Sequence, residues 1–287
     1  MAAPLRTAAL QLRAVKRVLP HGGVTLRERL AAPDDRLVFV VGSPRSGTTF
    51  LARSIGSLPG FVDLGEVPPL KALIPVVARV QEEVAATRIR RTLDLTRRLG
   101  LVGRRRGVEQ TPESAFVVRA IGRAYPRATL VHIVRDGRDV ASSLLERGWL
   151  SAGRAGADDA GHAYGAATRF WVERERREEF ARASDATRAA WAWRRYVSAA
   201  RSGGGEVVEV RYERMHAEPA AVAQELAEAL QVRREPLEAV LATAHGSSVG
   251  RFRRDLTAEQ LEDVEREAGA LLRELGYERG EQRDDGR

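Results

Sequence analysis

The chain of 287 residues has no cysteine, so neither disulfides nor thiolate metal sites are open to it. Its five histidines are scattered without ligand spacing. No stretch approaches the ~20 apolar residues of a membrane helix. Charged residues interrupt every apolar run near the N-terminus, which leaves no signal-peptide core, and a cytoplasmic protein is expected. Lysine is almost missing as well: Lys16 and Lys71 stand alone, and arginine carries nearly all the positive charge behind a formal net charge of +8. Aromatic residues make up 6%, too few for a base-stacking platform. The basic residues alternate with acidic ones, as in WVERERREEFAR from Trp171 to Arg182, the pattern of a solvated helix face and not of a stripe that tracks phosphates. Nucleic acid is therefore not the expected partner.

What is present suits an α/β domain, since 44% hydrophobic content is enough for a full core at this length. Residues 1–36 read as a helical arm: a basic amphipathic helix from about Leu5 to Leu19, a Pro-Gly-Gly turn and a short second helix before Pro33. The arm is expected to pack on the domain, with a membrane-surface or dimer contact as the alternative. From Leu37 onward strands alternate with helices, which indicates a parallel sheet. The expected strands are Leu37 to Val41, Phe61 to Leu64, Thr129 to Val134 and Glu206 to Arg211. Helices are expected after the first strand to about Leu58, then over Val76 to Leu101, Ser114 to Ala124, Gly137 to Arg147, Thr168 to Ala183 and Thr187 to Arg201. Pro68, Pro69 and Pro75 read as breakers. Residues 151–167, rich in Gly and Ala, read as a mobile loop over one face of the sheet.

The most informative stretch is VFVVGSPRSGTTFL, from Val38 to Leu51. A buried strand runs into a loop bounded by Gly42 and Gly47, and the loop opens a helix. Such a turn aims successive amides at one anion, and the helix adds its positive end. The spacing of Gly42, Gly47, Thr48 and Thr49 fits the P-loop pattern, except that Thr48 stands where the lysine belongs. The nearby cation is instead Arg45, a planar fork suited to an oxyanion. A second block, LVHIVRDGRDVASSLLERGW from Leu130 to Trp149, places Arg135 and Ser143 eight residues apart.

These two blocks, in this order, resemble the sulfotransferases that use 3′-phosphoadenosine-5′-phosphosulfate, and in particular the bacterial branch similar to the tyrosylprotein enzymes. The resemblance implies a P-loop NTPase-like three-layer α/β fold with a central parallel sheet and flanking helices, residues 37–287 forming a single sulfotransferase domain. It implies that Arg45, Ser46, Gly47, Thr48 and Thr49 hold the 5′-phosphosulfate, that Arg135 and Ser143 hold the 3′-phosphate, and that Tyr212 meets the adenine. It also implies Glu66, in its Gly-Glu context, as catalytic base beside Arg45, with no metal. Ser247 and Arg251 are candidates in a loop that closes over the nucleotide. Gln110 stands where many relatives carry a lysine before Thr-Pro, which shifts weight onto Arg45 or onto Arg105 or Arg106.

Arg45, Glu66, Arg135 and Tyr212 each follow a strand and so share one sheet edge, where open parallel sheets bind ligands. The rival reading is a P-loop kinase with Asp136 as the acid after an apolar strand and Thr49 on magnesium. The acceptor would be a small molecule, glycan or peptide. Phe170, Trp171, Trp191 and Trp193 read as helix core more readily than as an acceptor pocket.

Overall fold

Four consecutive apolar residues, Val38–Val41, form strand β1 in the computed structural model, which describes residues 2–18, 34–150, 169–204, 206–244 and 246–277. All four are fully buried, as in a strand covered by helices on both faces. Strands β2 (Phe61–Gly65), β3 (Arg106–Glu109), β4 (Thr129–Val134) and β5 (Val207–Arg211) join it in a parallel sheet of order β2-β3-β1-β4-β5. Phe39 lies opposite Glu109 on one side and Leu130 on the other. Side chains along β1 alternate between two cores. Phe39 and Val41 belong to the core that holds Leu70, Tyr125, Trp191 and Trp193, while Val38 and Val40 belong to the one that holds Leu51, Ile55, Ile133 and Leu226. Helices thus cover both faces, the three-layer arrangement expected.

Among the described residues the sheet has five strands where four were expected. Strand β3 was not foreseen because Arg106-Gly107-Val108-Glu109 has a single large apolar residue. Tertiary contacts make it a strand. A Cβ on Gly107 would stand 2.7 Å from Leu64, and Arg106 donates to the carbonyls of Arg36 and Leu230.

The helix expected over Val76 to Leu101 is two helices, Pro68–Val77 and Glu82–Leu99. Pro68 and Pro69 begin the first of these instead of breaking it, since the first turn needs no amide donors. The helix expected over Thr168 to Ala183 is reduced to a 3-10 turn, Arg174–Arg176, followed by the short helix Arg177–Arg182. The N-terminal helix Ala2–Val18 buries Ala14 and Val18, and Gln11 donates to Thr96 Oγ1 at 2.8 Å. The second helix of the arm and the loop 151–167 lie outside the described residues. Among the described residues no helix is long and apolar enough to cross a membrane.

Candidate functional site

The turn after β1 takes its shape from two left-handed residues, Arg45 (φ 71°) and Gly47 (φ 95°). Strain at a non-glycine such as Arg45 persists where the surroundings over-determine it. Ser46 N–H donates to Ser43 O at 3.1 Å, and Gly47 caps the helix Thr48–Gly56 without a side-chain acceptor. The amides of its first turn therefore have no helical carbonyl to bond and face the cleft's end of the helix. Neither flanking glycine tolerates a side chain: a Cβ on Gly42 would stand 2.5 Å from Ile133 O, and one on Gly47 would stand 2.7 Å from the Tyr212 ring. A cleft of about 370 Å³ opens here, lined by Arg45, Gly47, Thr48, Thr49, Arg135, Tyr212, Ser247 and Ser248.

Two arginines brace this cleft. Arg45 Nε donates to Ser143 Oγ at 3.0 Å, and its guanidinium lies 5.6 Å from the Trp149 ring. Arg135 Nη1 donates to Arg45 O at 3.1 Å, Nη2 donates to Ser248 O, and the guanidinium stacks 4.4 Å over Tyr212. Buried beneath them, Arg135 Nε and Ser46 Oγ have no hydrogen-bond partner among the described residues. Trp193 Nε1 donates to Arg135 O at 2.9 Å, and the same indole leaves no room for a Cβ on Gly137. Sequence reasoning put Ser143 beside Arg135. The structure engages its hydroxyl with Arg45.

The rest of the β4 end serves as framework. Asp136 accepts from Arg138 N–H at 2.9 Å as the cap of the helix Gly137–Arg147 and pairs with the Arg138 guanidinium at 2.8 Å. A carboxylate so engaged is poorly suited to be the magnesium-binding acid of a kinase. Glu213 accepts from Asp136 N–H at 2.9 Å and from the Tyr277 hydroxyl at 3.1 Å, and burial raises its pKa. Asp139 accepts from Gly250 N–H at 2.8 Å and Phe252 N–H at 3.0 Å, which fastens the C-terminal segment beside the cleft; burial raises its pKa too. Arg251 pairs instead with Glu146 at 3.0 Å and Asp255 at 2.6 Å and does not line the cleft.

The ends of β2 and β3 carry the candidate base, Glu66, and the charged groups around it. Glu66 follows Gly65, whose φ of 62° turns the chain, and its Oε2 accepts from Lys71 Nζ at 2.8 Å. Lys71 is buried and also lies 3.7 Å from Glu113. Glu109 is fully buried and accepts from Thr111 N–H at 2.8 Å, from Thr111 Oγ1 and from Ser114 Oγ at 3.2 Å. Burial pushes its pKa up to about 7, against the lowering effect of those donors.

The sequence did not foresee Lys71, Glu109 and Glu113 beside Glu66. Lys71 sits in PPLKALIPVV as the one charge of an apolar helix, and that isolation was the available signal. Arg105 and Arg106 cannot replace the lysine absent at Gln110. They lie at the start of β3, the opposite end of the sheet from the phosphate turn, and Arg106 stacks on Phe61. A second cavity, about 40 Å³, lies between Pro44, Lys71, Glu113, Trp149, Trp171 and Tyr196. Trp191 and Trp193 are core, while Trp171 borders this cavity and Phe170 is half-buried.

Comparison with known proteins bears on the fold and the family. No curated protein matches the sequence. Among solved structures, the sulfotransferase domain from the curacin biosynthetic pathway superposes with a TM-score of 0.54 at 13% identity, covering 87% of this chain and 100% of that one. Sulfotransferase STF9 from Mycobacterium avium gives 0.52 at 15% identity, covering 95% and 86%. STF1 from Mycobacterium tuberculosis H37Rv gives 0.51 at 16%, covering 91% and 81%. Identities this low speak for the fold. The sequence model of the sulfotransferase family matches residues 80–236, a span that begins after the phosphate turn and is therefore independent of it. With more than half its length matched, the chain belongs to the sulfotransferase family.

Proposed function

We propose that the enzyme transfers a sulfuryl group from 3′-phosphoadenosine-5′-phosphosulfate to a hydroxyl or amine of a small-molecule, glycan or peptide acceptor. The observation that carries this reading is the pairing of a lysine-free phosphate turn with two arginines over one cleft, where Arg135 Nε and Ser46 Oγ are buried without hydrogen-bond partners among the described residues. The cleft's volume falls within the roughly 300–1,000 Å³ of small-molecule sites. The donor nucleotide, when bound, supplies the activated sulfuryl group and an adenosine bisphosphate leaving group.

The amides of Gly47, Thr48 and Thr49, the hydroxyls of Ser46, Thr48 and Thr49, and the Arg45 guanidinium are suited to the 5′ oxyanions. Their worth lies in being fixed before charge develops on the leaving phosphate. Ser143 keeps Arg45 in place. Arg135 is suited to the 3′-phosphate: it hydrogen-bonds the neutral carbonyls of Arg45 and Ser248 and lies 3.7 Å from the Asp139 carboxylate, itself held by the amides of Gly250 and Phe252, so a phosphate would offer it closer charge-assisted bonds. Tyr212 supports Arg135 from below and offers a face to the base. Glu66 takes the proton from the acceptor oxygen or nitrogen as that atom attacks sulfur in line. Lys71, which donates to Glu66 Oε2 at 2.8 Å, orients that carboxylate.

The test is thermal stabilisation by adenosine-3′,5′-bisphosphate in the presence of a chelator, followed by transfer of labelled sulfate to an acceptor panel. Stabilisation without magnesium supports the reading. Stabilisation by ATP only with magnesium would favour the kinase.

A further inference from the structure

We propose that the face formed by the helices Ala2–Val18, Pro68–Val77 and Glu82–Leu99 docks on an anionic lipid bilayer. Among the described residues the large apolar side chains left exposed are Leu12, Val76, Val80, Val84, Leu95, Leu99 and Val249. All but Val249 belong to these three helices or the turn that joins the last two. At 100° per residue, Val84, Arg88, Arg91, Leu95, Arg98 and Leu99 of the helix Glu82–Leu99 fall within about 100° of arc, opposite the buried Ile89 and Leu93. On the N-terminal helix Leu12 and Lys16 share the outer face, opposite the buried Ala14 and Val18. The helices are in contact: Gln11 reaches Thr96, and Val18 lies 3.0 Å from where a Cβ on Gly100 would stand.

The charge on this face has one sign. Arg13, Lys16, Arg88, Arg91 and Arg98 are exposed and form no ion pair among the described residues. The acids nearby are already engaged, Glu82 and Glu83 with Arg123, and Asp94 with Arg90 and Arg97. Apolar side chains interspersed with unpaired cations match the two requirements for stable interfacial binding, insertion at the acyl boundary and attraction to lipid phosphates. A second copy of this chain fits less well, because it would bring cations against cations.

The full chain is sedimented with vesicles of phosphatidylcholine alone and with vesicles in which a third of the lipid is phosphatidylglycerol. Binding to the anionic vesicles is expected to be about tenfold stronger or more and to fall with added salt. The exposed-site variants Arg88→Glu with Arg91→Glu, and Leu95→Ser with Leu99→Ser, should each lower binding about tenfold while the circular-dichroism melting curve stays that of wild type. Equal binding to both vesicle types, no binding, or variants that bind like wild type would overturn the proposal. So would a dimer seen without lipid that the same substitutions dissolve, which would assign the face to a second copy. None of these readouts depends on sulfuryl transfer, so either reading can fail alone.

Discussion

Along the carboxyl edge of the sheet, the part at β1 and β4 and the part at β2 and β3 are built from different chemistry. At the first, an anion would meet backbone amides, hydroxyls and two arginines, groups whose charge does not change across physiological pH. At the second, Lys71 pairs with Glu66 and Glu113, and Glu109, whose pKa burial raises to about 7, feels the charge of Glu66. Under the proposed function the first part supplies fixed positive potential to a leaving group, while the second receives a proton. The contrast teaches that pH dependence should come from the acceptor part and donor selectivity from the other.

The largest break in that comparison should come from Glu66→Gln. Its kcat is expected to fall ~10²- to 10⁴-fold, the usual range for removing a positioned base, while adenosine-3′,5′-bisphosphate binds as before by calorimetry. Lys71→Met should likewise act on kcat more than on that affinity. It should also cost up to ~3 kcal/mol in urea unfolding, the lower end for breaking a buried pair, because Glu66 keeps some access to water. Unchanged turnover in both variants would move the proton acceptor elsewhere.

A more selective effect is expected at the donor part. Arg135→Ala should weaken adenosine-3′,5′-bisphosphate by ~10- to 100-fold, as for loss of charge-assisted hydrogen bonds worth ~1.5–3 kcal/mol, and should weaken adenosine-5′-phosphosulfate much less. Equal losses for the two ligands would detach Arg135 from the 3′-phosphate.

The smallest effect is on stability against pH. The folded state raises the pKa of Glu109 from 4.5 to about 7, so it holds a proton that the unfolded chain releases. The resulting stabilisation is complete below pH 4.5 and is lost as pH rises through about 7, at up to about 1.4 kcal/mol per pH unit. Glu109→Gln should lack this slope in unfolding curves taken across that window. A variant that keeps the slope would assign it to another group.

The donor part was far more legible in the sequence than the acceptor part. The phosphate turn could be read because Gly42, Gly47 and Arg45 lie within a few positions, and the β4 block because an apolar strand runs directly into Arg135. Glu66 was reached through its place after a strand and through resemblance. Lys71 and Glu113 were not, because a single lysine on an apolar helix and a glutamate after a proline look like surface residues until the sheet is assembled. Strand β3 escaped for the same reason: Gly107 and Arg106 become strand residues only when Leu64, Arg36 and Leu230 surround them.

By itself, then, the sequence determined a three-layer α/β chain with a glycine-bounded turn after its first strand, since the shape of such a turn depends on residues only a few places apart. Which side chains meet at that turn was a tertiary decision. Ser143 holds Arg45 from 98 positions away, Trp193 supports Arg135 across 58, and Arg135 rests on Tyr212. These contacts follow from the order of strands in the sheet, and sheet order is fixed by long-range packing that no local window of residues contains.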